Sequence, residues 1–312
     1  MAKIILIAVL SFATLYILLS FGLAKFMADL VFTPAKKFCP TYAQVRQRKT
    51  DTANIEYLIY KDTDFDAYEQ WTAEPVVCDN NGVRILGVYH PVEHSRGCVI
   101  LAHGFGQNRY AMIPFAEIFR SLGFDTLLFD QRRFGQSQAP FGSLGLEEGK
   151  DVAALVEWVK KEYGADKKII LHGVSMGAVS SMNALQHTSD VIGVLEDCGF
   201  STVRQAVTNL YRSMVPLPNP FLLPVVMRRA KKLGLNFEKN NPIDAVKNTD
   251  VPVCVLHGDA DKTVSVQCAK ELRNVLKNPC SRVELFQGRG HGFAILDRER
   301  YCKIVADFLQ AI

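Results

Sequence analysis

The stretch IILHGVSMGAVSSM, residues Ile169–Met182, places a serine between two glycines, after a strand-forming run and before a run of small residues. Residues 173–177 have the form G-x-S-x-G around Ser175. A strand that turns sharply into a helix needs small residues two positions before and after the turn, because larger side chains would collide with neighbouring backbone. The central serine then projects above the sheet, and the helix N-terminus directs N–H groups toward its oxygen. The motif therefore predicts a nucleophilic Ser175.

The chain around this motif alternates between strand-like and helical runs. GCVILAHG, FDTLLFD, KKIILHG, VIGVLED, VPVCVLHG and RVELFQG are mostly apolar, and two further short runs flank the turn sequence Asn80-Asn81-Gly82. Uniformly apolar strands between helices indicate a mostly parallel sheet covered on both faces. The sequence therefore predicts an α/β fold with eight strands. This context favours the nucleophilic interpretation of Ser175 over an ordinary tight turn with an idle hydroxyl.

Two segments break the alternation. The insertion at about residues 201–249 holds four prolines within nine residues, at positions 216, 218, 220 and 224, followed by a basic segment. Proline cannot donate to a sheet ladder, so we predict a helical cap here rather than a strand. Residues 33–74 are polar, and we predict a linker in which one helix packs on the domain formed by residues 75–312.

The N-terminal segment is apolar enough to interact with a membrane. Residues 4–24 carry no charge and lie between Lys3 and Lys25. As a helix they would span about 30 Å, the thickness of a bilayer core. A cleaved signal has a shorter apolar region and a small-residue cleavage site, so we expect residues 1–32 to form an uncleaved single-pass anchor. Lysines on both sides, including Lys36 and Lys37, leave the orientation open.

Composition excludes several classes of protein. The 312 residues are 48% hydrophobic and 22% charged, as in ordinary globular domains. The net charge of +4 is not concentrated among aromatic residues, so we expect no nucleic-acid partner. No Cys or His spacing suggests zinc, and we expect no metal. Cys98 and Cys254 lie in apolar runs where free cysteine behaves as a small hydrophobe. Disulfide pairing and oligomeric state stay open.

A serine hydroxyl becomes reactive when a base accepts its proton and an acid orients that base. His291 lies in the glycine-rich loop FQGRGHGFA after the last predicted strand. Such a loop can reach the carboxyl edge of a parallel sheet, where ligands bind. We therefore predict that His291 is the base. The six other histidines are at positions 90, 94, 103, 172, 187 and 257.

Three aspartates are candidates for the acid. Asp259 and Asp261 follow the next-to-last predicted strand, and Asp197 ends the sixth. The interval from Asp261 to His291 has room for one helix and one strand, so both side chains would emerge at one sheet edge. Asp259, directly after a glycine, is expected to stabilise the turn. We favour Asp261.

Taken in order, HGFGQN, FDQRRFGQS, GVSMG, HGDADKTV and GHGF resemble the α/β-hydrolase superfamily. Within it, residues 75–312 are most similar to bacterial serine hydrolases related to monoacylglycerol lipases and proline-aminopeptidase-type enzymes. The resemblance implies a triad of Ser175, Asp261 and His291. It also implies an oxyanion hole formed by the backbone N–H groups of Phe105 and Met176, and no cofactor.

These features predict hydrolysis through an acyl-enzyme. The cap supplies mainly apolar side chains and no obvious anion site beyond Arg228, Arg229, Lys231 and Lys232, which we expect to form a solvated helix face rather than a binding site. We therefore expect an acyl ester, or another apolar ester, as substrate. A peptidase or amide hydrolase of the aminopeptidase-like branch is the alternative within enzymes. A non-catalytic, membrane-tethered binding module is the alternative outside them.

Overall fold

One sheet of eight strands organises the chain, and in the computed structural model its order is β1-β2-β4-β3-β5-β6-β7-β8. The strands are β1 (Glu74–Asn80), β2 (Val83–His90), β3 (Cys98–Ala102), β4 (Asp125–Phe129), β5 (Ile169–Val174), β6 (Gly193–Asp197), β7 (Val253–Gly258) and β8 (Arg282–Phe286). Strand β2 runs antiparallel to both of its neighbours, β1 and β4, and every pair from β4 to β8 is parallel. The prediction of an eight-stranded, mostly parallel sheet is confirmed.

The structure describes residues 1–34, 39–215 and 217–312. Lys36 and Lys37, which enter the orientation argument, and Pro216 of the insertion lie outside these ranges. Within them the α-helices are α1 (Ala2–Phe32), α2 (Tyr42–Gln47), α3 (Tyr57–Tyr60), α4 (Phe65–Gln70), α5 (Ile113–Ser121), α6 (Leu146–Tyr163), α7 (Met176–Ala184), α8 (Val203–Met214), α9 (Leu222–Lys232), α10 (Pro242–Lys247), α11 (Gln267–Arg273) and α12 (Arg298–Ala311).

The hairpin between β1 and β2 closes at the predicted turn. Asn81 and Gly82 have φ values of 52° and 82°, so both central residues are left-handed. A two-residue turn of this kind matches the twist of the strands that it joins. The hairpin forms the edge of the sheet farthest from β8.

Both faces of the central sheet are buried. In β3, Cys98, Ile100 and Ala102 belong to one apolar cluster, and Val99 and Leu101 belong to the other. Helices α6 and α7 contribute to the first cluster, and α5 and α12 contribute to the second. This double burial explains why the strands read as uniformly apolar runs.

Helix α1 has two different halves. Its N-terminal half is exposed along the uncharged stretch, with Phe12 73% accessible. Its C-terminal half belongs to the core, with Met27 and Phe32 at 2% and 0%. Phe32 stacks on Phe237, which follows the cap helix α9, with ring centroids 5.9 Å apart. By length and composition, α1 is able to cross a membrane.

The segment between α1 and the sheet is more ordered than the sequence predicted. The expectation of one helix was wrong, because three short helices, α2 to α4, form there. They are four to six residues long, too short to show a helical period in the sequence. Val45, Tyr60 and Phe65 of this segment are buried in the core cluster that includes α5 and α12. We name residues 39–72 the N-terminal wall.

The insertion between β6 and β7 forms the cap. Helices α8, α9 and α10 follow one another along the chain between β6 and β7. Helices α8 and α9 are strongly amphipathic, and each has one buried stripe that includes Val207, Tyr211, Val226 and Ala230.

Candidate active site

The turn from β5 to α7 is tight enough to require its glycines. A Cβ added at Gly177 would lie 1.9 Å from the carbonyl oxygen of Ala102, and one at Gly173 would lie 2.2 Å from the backbone of Gly177. Ser175 has φ 57° and ψ −116°, a strained backbone conformation for a side chain other than glycine. Its N–H donates to the carbonyl of Asp197 at 2.8 Å. The turn holds the serine at the carboxyl edge of the sheet.

His291 lies on the loop that follows β8, and it reaches Ser175. Its Nε2 is 2.9 Å from the Ser175 Oγ. The loop packs directly on the end of β7, since a Cβ on Gly258 would lie 2.2 Å from the Arg289 carbonyl oxygen. The His291 side chain stays 25% exposed, so it can meet a substrate.

Asp261 completes the relay from the loop after β7. Its Oδ2 is 2.7 Å from His291 Nδ1, and its side chain is fully buried. Its Oδ1 accepts the backbone N–H groups of Thr263 and Val264, both at 2.8 Å. One carboxylate oxygen of Asp261 therefore accepts hydrogen bonds from the backbone, and the other faces the imidazole of His291. A proton held on Nδ1 by Asp261 leaves the Nε2 lone pair facing Ser175.

The other two acid candidates do not contact His291. Asp259 accepts the N–H of Gly288 at 2.6 Å, which ties the β7 loop to the loop that carries His291. This agrees with the turn-stabilising role expected of it. Asp197 is buried at the end of β6, where the Tyr301 hydroxyl and the Cys198 thiol lie beside its carboxylate. Burial raises the pKa of Asp197 to about 7.

Three other histidines are fully buried. His103 bridges its own loop, because Nε2 accepts the N–H of Gln131 at 2.9 Å while Nδ1 lies 2.7 Å from the Gly104 carbonyl. His257 Nε2 lies 3.0 Å from the Val264 carbonyl. Burial lowers the pKa of His103 and of His257, and it lowers the pKa of His172 to about 4. His103 and His257 therefore satisfy backbone groups in buried loops.

The two proposed oxyanion donors line the same cavity as Ser175 and His291. Phe105 follows the end of β3, in a turn where Gly106 has φ 76°. Met176 is the first residue of α7, where a backbone N–H has no partner within the helix. Among the hydrogen bonds of the described residues, neither N–H has an acceptor. Both groups are therefore available to a developing oxyanion.

The cavity above Ser175 has a volume of about 390 Å³ and a mostly apolar lining. The cap contributes Ala206 and Leu210 from one side. The N-terminal wall contributes Ile59 and Tyr60 from the other, a role that the sequence did not reveal. The interruption of a polar segment by the apolar run in "EYLIY" was the available signal.

Comparisons with known proteins agree with this architecture. Residues 93–244 match a family model described as a serine aminopeptidase, and residues 226–307 match the dienelactone hydrolase family. A Pyrococcus furiosus esterase superimposes with a TM-score of 0.65 at 23% identity, over 78% of this chain and 93% of the esterase. The chain belongs to the α/β-hydrolase superfamily.

Two curated relatives of this α/β-hydrolase differ in how much of the chain they cover. The Bacillus subtilis protein YqkD, itself described as uncharacterized, is 28% identical over 273 residues, which is 84% of this chain and 88% of YqkD. The proline iminopeptidase of Saccharolobus solfataricus is 27% identical over 169 residues, 52% of this chain and 53% of the iminopeptidase. The family and fold therefore support a hydrolase.

Proposed function

We propose that this α/β-hydrolase is a serine hydrolase that cleaves carboxylic esters of apolar acyl groups through an acyl-enzyme. The observation that carries the proposal is the unbroken relay from Ser175 Oγ to His291 Nε2, at 2.9 Å, and from His291 Nδ1 to Asp261 Oδ2, at 2.7 Å. Both distances are those of hydrogen bonds that are already formed. Such a relay turns an otherwise unreactive hydroxyl into a nucleophile.

In the proposed mechanism, Ser175 attacks the ester carbonyl while His291 accepts its proton. Asp261 stabilises the imidazolium and keeps its tautomer fixed. The N–H groups of Phe105 and Met176 donate to the oxyanion. His291 then protonates the departing alcohol, which leaves an acyl group on Ser175. A water molecule, activated by His291, hydrolyses this ester and restores the serine.

The character of the cavity favours esters over peptides. An aminopeptidase needs an anionic group to hold the free amine of its substrate. Among the described residues that line the cavity, Glu56 is the one acidic side chain, and its Oε2 is 2.7 Å from Arg48 Nη1. This ion pair neutralises the carboxylate. Because residues 93–244 match a serine aminopeptidase model, peptide hydrolysis stays the second candidate.

We further propose that α1 is retained as a membrane anchor. Ala24, Met27 and Phe32 are at most 2% accessible, and the backbone N–H of Gly142 donates to the Phe32 carbonyl at 2.8 Å. Cleavage of a signal a few residues beyond the apolar run, for example after Ala28, would remove Ala24, Met27 and Ala28 from the core. This burial supports an uncleaved helix whose exposed N-terminal half lies in the bilayer.

The test combines a covalent probe with two substrate series. A fluorophosphonate should label the parent chain, and the label should be lost in Ser175→Ala. The parent should hydrolyse p-nitrophenyl esters of increasing chain length faster than aminoacyl-nitroanilides, and Ser175→Ala should reduce this rate about 10⁴-fold or more. Preference for the nitroanilides would support the peptidase. Absence of both labelling and turnover in the folded parent would support a binding module.

A further inference from the structure

The far end of the cap touches α1 well inside its uncharged stretch. We call residues 217–221, together with Met214 at the end of α8, the cap tip. Tyr16 Oη donates to the carbonyl of Pro218 at 2.6 Å, and Asn219 Nδ2 donates to the carbonyl of Ser20 at 2.8 Å. These two hydrogen bonds fix the level of the cap tip along α1.

That level leaves too little free helix to cross a bilayer. Lys3 bounds the uncharged stretch, so only residues 4–15 of that stretch lie beyond the cap tip, and 12 helical residues extend about 18 Å. The apolar core of a bilayer is about 30 Å thick. If the uncharged stretch spans the bilayer, about eight further residues must be submerged, which reach Leu23. Everything that packs beside residues 16–23 would enter the bilayer with them, and tilting the helix would increase the deficit.

We propose that the cap tip is a second membrane-inserted element, which lies in the hydrocarbon of the bilayer beside α1. The inference rests on the anchoring role proposed for α1. The exposed side chains of the tip suit this environment, since Met214 is 52% and Leu217 is 61% accessible. Leu217 lies beside the exposed apolar surface of α1, because the neighbouring Pro218 contacts Tyr16.

The backbone of the cap tip also suits a medium without water. A loop in hydrocarbon is costly when its N–H and C=O groups lack partners. Pro218 and Pro220 have no N–H to satisfy. The N–H of Phe221 donates to Asn219 Oδ1 at 3.0 Å, and that of Leu222 donates to the Asn219 carbonyl at 3.3 Å. The prolines that rule out a strand therefore reduce the cost of immersion.

Basic side chains lie where the headgroups would be. Lys25 is exposed on α1, nine residues beyond Tyr16, or about 13 Å. Arg212 is exposed on the last turn of α8, close to the tip, and its long side chain can extend to the interface. Arg228 and Arg229 are exposed farther along α9. These cations suit a surface of anionic phospholipids.

Tryptophan fluorescence in lipid vesicles tests the proposal on the full chain. The vesicles contain phosphatidylethanolamine and phosphatidylglycerol with bromines on the acyl chains, which quench only nearby fluorophores. Three variants add one tryptophan to the native Trp71 and Trp158: Leu217→Trp in the cap tip, Leu10→Trp in α1 and Lys239→Trp beyond α9. The emission added over the parent should be lost to bromine at positions 10 and 217 and retained at 239.

Each other outcome has a definite meaning. Quenching at position 10 without quenching at 217 would overturn the cap-tip proposal and leave the anchor intact. Absence of quenching at both positions would overturn the anchor as well. Met214→Trp is a second probe of the tip if Leu217→Trp fails to fold, and it should be quenched likewise. Ester hydrolysis by the same samples reports on Ser175 separately, so failure of the catalytic proposal is distinguishable.

Discussion

Replacing Asp261 by asparagine should abolish most activity through the tautomer of His291 rather than through loss of structure. Asp261 Oδ1 accepts two backbone N–H groups at 2.8 Å. An amide nitrogen in that position would leave both buried donors unpaired, at about 1–3 kcal/mol each. The amide oxygen should therefore take the Oδ1 position, with an energetic preference of about 2–6 kcal/mol. The amide nitrogen then faces His291 and donates to Nδ1.

The consequence for catalysis follows from the imidazole. With Nδ1 as an acceptor, the single proton of neutral His291 resides on Nε2, which can no longer accept the proton of Ser175. The expected loss in kcat for such a wrong tautomer is about 10⁴-fold, or about 5.4 kcal/mol of transition-state stabilisation. The loss of about 5.4 kcal/mol is of the same size as the preference of about 2–6 kcal/mol that keeps the amide nitrogen at position 261 facing His291, so the amide should not flip back to restore activity.

The assay is steady-state hydrolysis of a p-nitrophenyl ester, with circular dichroism and urea unfolding as checks of structure. Asp259→Asn is the matched control, because the new amide oxygen can still accept the N–H of Gly288. The control should stay within about twofold of the parent, since exposed substitutions of this kind shift energies by about 0.5 kcal/mol or less. A folded Asp261→Asn enzyme with more than about a tenth of parental kcat would refute the reasoning.

Three further predictions concern stability. Gly177→Ala should prevent native folding or shift the β5–α7 turn, because its Cβ would lie 1.9 Å from the Ala102 carbonyl oxygen; a thermal transition and fluorophosphonate labelling close to parental would contradict this. Burial raises the pKa of Asp197 to about 7. As pH rises from about 4 to about 7, the unfolded chain loses the Asp197 proton while the folded chain keeps it, so the free energy of unfolding should fall by up to about 4 kcal/mol. Asp197→Asn should remove that part of the decrease, and urea midpoints at about pH 5 and about pH 8 would measure the difference, with parallel curves opposing the idea. In detergent, Phe32→Ala should cost about 3–5 kcal/mol and Phe12→Ala should cost close to nothing, and equal unfolding midpoints would argue against burial of the end of α1.

Much of the fold could be predicted because parallel strands, when buried on both faces, appear as uninterrupted apolar runs. The turn at Asn81-Gly82 could also be predicted, since few residue pairs adopt two consecutive left-handed backbone conformations. The apolar run of residues 4–24 predicted a long apolar helix but not which of its residues are buried in the domain. A segment that is apolar on every side does not reveal which face meets protein and which meets solvent or lipid, so the burial of the C-terminal half of α1 required the structure.

The candidate site was partly predictable for a related reason. The tight turn around Ser175 requires glycine at positions 173 and 177, and this spacing can be recognised in the sequence. Asp261 and His291 lie at the same strand edge, and their juxtaposition follows from the order of the strands. The participation of Ile59 and Tyr60 has no local signature, because α3 is one turn long and its position depends on packing against distant elements. Such walls are fixed by tertiary contacts alone.

The division of α1 determines where the chain can be shortened. A cut after Thr33, at the end of the helix, would remove Met27 and Phe32 and leave an open apolar channel on the domain, flanked by Phe237. A cut before Ser20 would discard most of the exposed apolar surface of α1 and keep the side chains that fill this channel. A folded, water-soluble fragment should therefore retain the C-terminal part of α1.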